Sequence, residues 1–218
     1  MSETLLFAFE LMGTIAFAAS GAITALSKKM DIFGVATLGV VTAVGGGVIR
    51  DIILCNNPPV TFRNPVYAIV AIIVSVILFI PAVRRFLFKN HKIYERVMLI
   101  MDSAGLGIFT VVGIETSILA GHSSAFLLIF VGMITGVGGG VIRDILAGNK
   151  PYVFVKHFYA CASLIGAIVC IALWRLTFPA LAISSGALVV FILRLLAARF
   201  HWSLPKAEDI DELKEKGD

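Results

Sequence analysis

Between residues 4 and 198 the chain is a succession of apolar runs, at about 4–26, 33–54, 65–83, 97–119, 124–147, 158–176 and 178–198, separated by short polar gaps. About 20 apolar residues wound as a helix cross the ~30 Å of hydrocarbon in a bilayer, and lipid admits little besides helices and closed barrels. Seven such runs in series predict an all-α integral membrane protein with seven transmembrane helices. The composition agrees: 59% of the 218 residues are hydrophobic, 15% are charged and the mean hydropathy is +0.97, far above a soluble domain. One transmembrane domain over 1–200 is expected, with a polar cytoplasmic tail over 201–218. No basic stretch precedes the first run, which is also too long for a signal-peptide core, so it reads as a retained span.

The gaps differ in charge from one side to the other. Lys28, Lys29, Arg84, Arg85, Lys89, Lys92, Arg96, Lys150 and Lys156 fall on one side of a seven-span topology, joined by Arg199, Lys206, Lys214 and Lys216 after the last span. The opposite side has little beyond Arg63 and Arg175. Basic loops stay in the cytoplasm, so a multi-pass protein of the cell (inner) membrane is expected, with its N-terminus outside and its C-terminus cytoplasmic. The pI of about 9.1 then reflects contact with membrane lipids, not nucleic acid.

Gly45-Gly46-Gly47-Val48-Ile49-Arg50-Asp51 returns, residue for residue, as Gly138-Gly139-Gly140-Val141-Ile142-Arg143-Asp144. Gly39 and Thr42 match Gly132 and Thr135 at the same offset; Asn56 and Pro58 match Asn149 and Pro151. One residue of offset earlier, Glu10, Gly13, Phe17, Gly21 and Thr24 match Asp102, Gly105, Phe109, Gly113 and Thr116. The unit is three spans long, about 4–83 and again about 96–176, with an extra helix at about 178–198. Three is odd, so the second copy enters from the opposite face, the inverted-repeat plan of many transport proteins.

Two features inside the spans bear on function. Each glycine costs about 0.8–1 kcal/mol of helix propensity relative to alanine, so three in a row predict a break or sharp bend, lining a pathway. The alternative is that Gly45, Gly46, Gly47, Gly138, Gly139 and Gly140 let a neighbouring helix come close. Glu10, Arg50, Asp51, Asp102, Glu115, Arg143 and Asp144 are ionisable residues within spans, which face a bundle interior or water and mark either pathways or structural ion pairs. Neighbours on a helix point about 100° apart, so Arg50 and Asp51, and likewise Arg143 and Asp144, are expected to pair with other helices and not with each other. Depth suggests which. Glu10 lies about 9 Å below the face where the first span starts and Arg50 about 6 Å below the same face; the repeat places Asp102 with Arg143 near the other. The Gly-x3-Phe-x3-Gly pattern at Gly13, Phe17 and Gly21 and at Gly105, Phe109 and Gly113 reads as a packing surface.

Several classes are excluded. The last span has no lysine to hold retinal, and His91, His122, His157 and His201 fall in loops or beyond span ends, without ligand or triad spacing. Cys55, Cys161 and Cys170 have no metal-ligand or disulfide spacing. No enzyme, metal site or cofactor is expected.

The doubled GGGxxRD segment in spans two and five, the three-plus-three-plus-one layout and the outside N-terminus together resemble the prokaryotic relatives of the trimeric intracellular cation (TRIC) channels, sequences also catalogued as paired glycine-transporter domains. The resemblance runs from about residue 5 to residue 200. It implies a homotrimer with one pathway per protomer for a monovalent cation, K+ or Na+, lined partly by spans two and five, and it leaves bound lipid open. The alternative function is a secondary transporter of a small solute such as glycine.

Overall fold

In the computed structural model, residues 3–155 and 158–202 are described, and they are all-helical, with no strand among them. The helices are α1 (Glu3–Ser27), α2 (Ile32–Ile53), the short α3 (Val60–Arg63), α4 (Val66–Phe79), α5 (Pro81–Phe88), α6 (His91–Leu119), α7 (Ala125–Leu146), the short α8 (Tyr152–Val155), α9 (Tyr159–Leu176) and α10 (Pro179–Arg199). Six of them are long and apolar enough to cross a membrane, and α4 with α5 makes the seventh as a bent pair. The face where α1 begins is called the N-face below, and the face where α10 ends the C-face. Lys156, His157 and the tail from Ser203 onward, with Lys206, Lys214 and Lys216, lie outside the described residues.

The third expected span departs from its straight reading over 65–83. α4 stops at Phe79 and α5 leaves at 73°. Pro81 is the cause. It starts α5, and its ring drives the preceding residue, Ile80, out of the helical region to φ −55, ψ 130. Phe79 packs level with Leu26 at the end of α1, so α5 runs across the C-face. Caps fix other boundaries. The Asp31 carboxylate accepts from the Gly34 amide at 2.7 Å to start α2, and the Asn90 side chain accepts from the Lys92 amide at 2.9 Å to start α6, six residues ahead of the apolar run read from the sequence.

The repeat is visible in how its two copies end. After α2 the chain turns through Cys55 at φ 56, and after α7 through Gly148 at φ 67. The next amide, Asn56 or Asn149, donates back to the carbonyl of Asp51 or Asp144 at 2.8 Å in both copies.

At the centre α1 faces α6 and α2 faces α7. Phe17 and Phe109, equivalent in the two copies, lie with ring centroids 5.3 Å apart. Each ring covers the other helix's glycine: Phe109 comes within 3.1 Å of where a Gly13 side chain would begin, and Phe17 sits against Gly105. The Gly-x3-Phe-x3-Gly pattern is thus a reciprocal packing surface. α10 packs on α6 and α9 and has no counterpart in the repeat. Outward, Ile69, Ile72, Ile73 and Ile77 of α4 and Leu188 and Ile192 of α10 are exposed, as a hydrocarbon solvent requires.

Candidate functional site

The glycine triplets sit where α2 and α7 cross, and of the break or sharp bend expected there no break in either helix occurs. Both helices run uninterrupted through the triplets. A side chain at Gly46 would strike the carbonyl of Thr135, and one at Gly139 the carbonyl of Thr42. Gly138 approaches the Gly46 backbone to 3.3 Å on the same measure. The missing side chains let two main chains touch, and that contact offsets the lost helix propensity. Gly47 is different: only an Arg50 nitrogen lies nearby, at 3.9 Å. It borders a small cavity with Glu10, Thr14, Arg50 and Tyr67.

On the N-face side of the crossing, α1, α2 and α4 assemble a charged cluster. Arg50 is 3.8 Å from Glu10, and Tyr67 donates to the other Glu10 oxygen. Arg50 Nε also donates to Asp51 Oδ1 at 2.8 Å. The expectation that neighbours on one helix would not pair is therefore corrected. The guanidinium is long enough to fold back to the next carboxylate, and the 100° separation holds only for the Cβ directions. Asp51 then reaches onward: its Oδ2 accepts from the Val60 amide at 2.8 Å, holding the first turn of α3.

The C-face cluster repeats this plan in a tighter form. Arg143, fully buried, bonds Asp102 at 2.6 Å and Asp144 at 2.8 Å, donates to Ser20 and lies 5.1 Å from the Tyr152 ring centre. Asp144 Oδ2 accepts from the Tyr152 amide at 2.9 Å to hold α8, as Asp51 holds α3. Glu10 thus meets Arg50, and Asp102 meets Arg143, as depth implied. Arg194 was not singled out in the sequence. It comes from α10, lies 3.7 Å from Asp102 and stacks 4.6 Å from the centre of the Tyr159 ring. A charge inside the last apolar run was its signal, and its place outside the repeat hid it. Tyr67 and Tyr159 open the third long helix of their respective copies, a correspondence legible only once the helices are aligned. Arg194 and Asp102 border a cavity of about 580 Å³ that opens at the C-face beside Tyr94, Arg96 and His201.

Glu115 stands apart from both clusters. It is buried in α6, and its Oε2 has no hydrogen-bond partner among the described residues. Counting it, the bundle interior holds, among the described residues, five carboxylates, Glu10, Asp51, Asp102, Glu115 and Asp144, against three guanidinium groups, Arg50, Arg143 and Arg194.

The two tyrosines give unequal expectations. The Tyr67 hydroxyl satisfies Glu10, whereas the Tyr159 hydroxyl is buried without a hydrogen-bond partner among the described residues. Tyr67→Phe should cost roughly 1–3 kcal/mol by stranding an acceptor. Tyr159→Phe should be neutral or slightly stabilising. Thermal unfolding of both variants in one detergent checks the contrast, and equal losses would contradict it.

Comparison with known proteins places this architecture. A family model described as glycine transporter matches residues 7–82 and again 99–175. The UPF0126 inner membrane protein YadS of Escherichia coli K12 is 37% identical over 203 residues, 92% of this chain and 95% of that one, and a UPF0126 membrane protein of Deinococcus radiodurans is 38% identical over 201 residues, 90% and 89% of the two chains. A structure solved to explain conductance through TRIC cation channels superposes with a TM-score of 0.81 at 35% identity, covering 96% of this chain and 98% of the other. The TRIC orthologue from Rhodobacter sphaeroides gives 0.83 at 32%, covering 91% and 100%. With the doubled domain, the crossing helices and these full-length likenesses in agreement, the chain is a multi-pass membrane protein that belongs to the TRIC channel family of paired glycine-transporter domains.

Proposed function

We propose that this protein is a channel for monovalent cations, potassium foremost, with one pathway in each protomer of a homotrimer. The observation that carries this reading is the full-length likeness to structures of TRIC cation channels. The interior supports it: among the described residues carboxylates outnumber guanidinium groups five to three inside the bundle, and a surplus of acid favours cations over anions at short range. The glycine-lined side of α2, where Gly47 borders the Glu10–Tyr67 cavity, is part of the proposed pathway. The N-face is external and the C-face cytoplasmic, because Lys28, Lys29, Arg84, Arg85, Lys92 and Arg199 gather at the C-face.

Purified full-length protein in planar lipid bilayers under a KCl gradient should show discrete openings that reverse near the potassium equilibrium potential. Reversal near the chloride potential would sink the proposal, as would crosslinking in mild detergent that stops at monomers for its trimeric part. The description of the matching family model favours a second reading, a transporter of glycine. Saturable glycine uptake by proteoliposomes without discrete openings would support that reading instead.

A further inference from the structure

Glu115 is the carboxyl that neither charged cluster uses. It is 1% exposed, no lysine, arginine or histidine among the described residues lies within ion-pair distance of it, and its Oε2 accepts no hydrogen bond from them. We propose that Glu115 is a proton-binding site, holding one hydrogen ion as a neutral carboxylic acid between α6, α9 and α10 near the N-face.

Helix spacing sets its surroundings. Positions 111, 115 and 118 form one stripe of α6, and Val111 and Ile118 both pack into the apolar cluster with Cys170 and Trp174 of α9 and Ile183 of α10. Glu115 enters that cluster between them, with the Cys170 thiol in its electrostatic reach. The hydroxyls beside it are already committed: Thr116 donates to the Val112 carbonyl and Ser117 to the Gly113 carbonyl, both at 2.8 Å. An ionised carboxylate needs several donors or a cation before it can leave water. This position supplies neither, and a proton removes the need. The repeat is an independent indication. The offset that aligns Glu10 with Asp102 and Phe17 with Phe109 aligns Ile23 with Glu115, and Ile23 is 1% exposed and packs with Leu87 and Met98. The first copy fills this place with a side chain that carries no charge, and the neutral acid is the form of Glu115 that matches it.

The charges on the surrounding elements are engaged elsewhere. α6, α7 and α10 hold Asp102, Arg143, Asp144 and Arg194 in the C-face cluster, and Arg199 closes α10 at that face. Arg175, exposed in the last turn of α9, and His122, beyond the end of α6, form no ion pair with Glu115. The charges that reach it at longer range are the amino terminus of the chain and Glu10 of α1. A neutral Glu115 leaves four charged carboxylates against three guanidinium groups inside the bundle among the described residues. The acid surplus then belongs to the two clusters, and release of the proton would enlarge it on the N-face side.

Infrared spectra of the full-length protein in lipid read the proton directly, because the C=O stretch of a carboxylic acid is separate from the bands of a carboxylate. At about pH 6 a solvated glutamate is ionised. The wild-type protein should still show an acid band at that pH, one that shifts in D2O, is lost in E115Q and survives in E10Q. Glutamine has the shape of the neutral acid and carries no charge, so E115Q should melt with the wild type at about pH 6. An ionised Glu115 would instead make E115Q clearly the more stable of the two. No acid band, or one that E115Q retains, overturns the proposal. So does a band abolished when KCl replaces choline chloride, which would make this a site for a metal cation. If E115Q does not fold, dicyclohexylcarbodiimide decides on the wild type. It reacts with the protonated acid, the proton passing to a reagent nitrogen and the carboxyl oxygen bonding to the central carbon, so the whole reagent is retained as added mass. Glu95 is 61% exposed and serves as the solvated reference. Label on the Glu115 peptide should exceed that on the Glu95 peptide by about tenfold or more at about pH 6, and label on Glu95 equal to or above that on Glu115 refutes the site.

Discussion

Arg143→Gln should remove on the order of 3–5 kcal/mol of stability, because it strands two buried carboxylates at once. Asp102 and Asp144 contact the same guanidinium at 2.6 and 2.8 Å with almost no exposure on any partner. Arg194 stands 3.7 Å from Asp102 and is positioned by Tyr159, so it does not take over. Asp102→Asn alone should be costly too. The double variant Asp102→Asn with Arg143→Gln should cost clearly less than the sum of the two, a coupling of about 1.5–3 kcal/mol. The equivalent cycle for Glu10 and Arg50 should show weaker coupling, since that pair is 3.8 Å apart and Glu10 is 15% exposed. Unfolding in a fixed detergent measures both cycles. Additivity for Asp102 with Arg143 would show that the salt bridge carries no stability.

Alanine at Gly46 or Gly139 is the second large effect. A methyl group at either position enters the space of a carbonyl on the opposite helix, Thr135 or Thr42, and neither main chain can rotate away as a side chain would. Overpacking of this kind costs about 1–3 kcal/mol, and more where backbone is the obstacle. Leucine there should prevent the helices from seating, so that folded yield falls together with any ion flux. Gly47→Ala is the control. Its nearest neighbour is 3.9 Å away, so it should be tolerated and should gain the helix propensity that glycine lacks. Thermal midpoints of the three alanine variants, compared at equal protein and detergent, give the ordering. A Gly47→Ala loss as large as that of Gly46→Ala would mean that the crossing is not what the triplet serves.

The architecture was legible because lipid leaves few choices. Apolar run length identified the spans, and the identical heptapeptides with their aligned flanks implied two inverted copies. Pairing across helices followed from depth alone, as Glu10 with Arg50 and Asp102 with Arg143 show. What escaped depends on details finer than a span. Pro81 was present to be read, yet the apolar run continues past it to Val83, and hydropathy does not register a direction change. The triplets carry no break, although a break or sharp bend follows from helix propensity, which counts only the helix itself. It omits the facing backbone that makes a missing side chain favourable. Arg50 and Arg143 bend back to the adjacent aspartates, a rotamer choice that Cβ geometry does not foresee. Arg194 sat in an apolar run with no repeat partner to draw notice.

The contact between Gly46 and Gly139 has a mechanical consequence. Main chain against main chain has no rotamers to redistribute, so the crossing is either seated or open, and while seated it serves as a pivot. Gly46 lies 14 residues from the start of α2 and 7 from its end, and Gly139 divides α7 in the same proportion. At 1.5 Å per residue the arms are about 21 and 10 Å. Rocking either helix about the pivot moves its far tip about twice as far as the tip beside the arginine, and the two long arms point to opposite faces. Arg50 and Arg143 lie about 6 Å from the pivot, so a displacement of half an ångström there becomes about 1.8 Å at Ile32 or Ala125, and a rigid helix would carry movement at either charged cluster, enlarged, to the opposite mouth of the bundle.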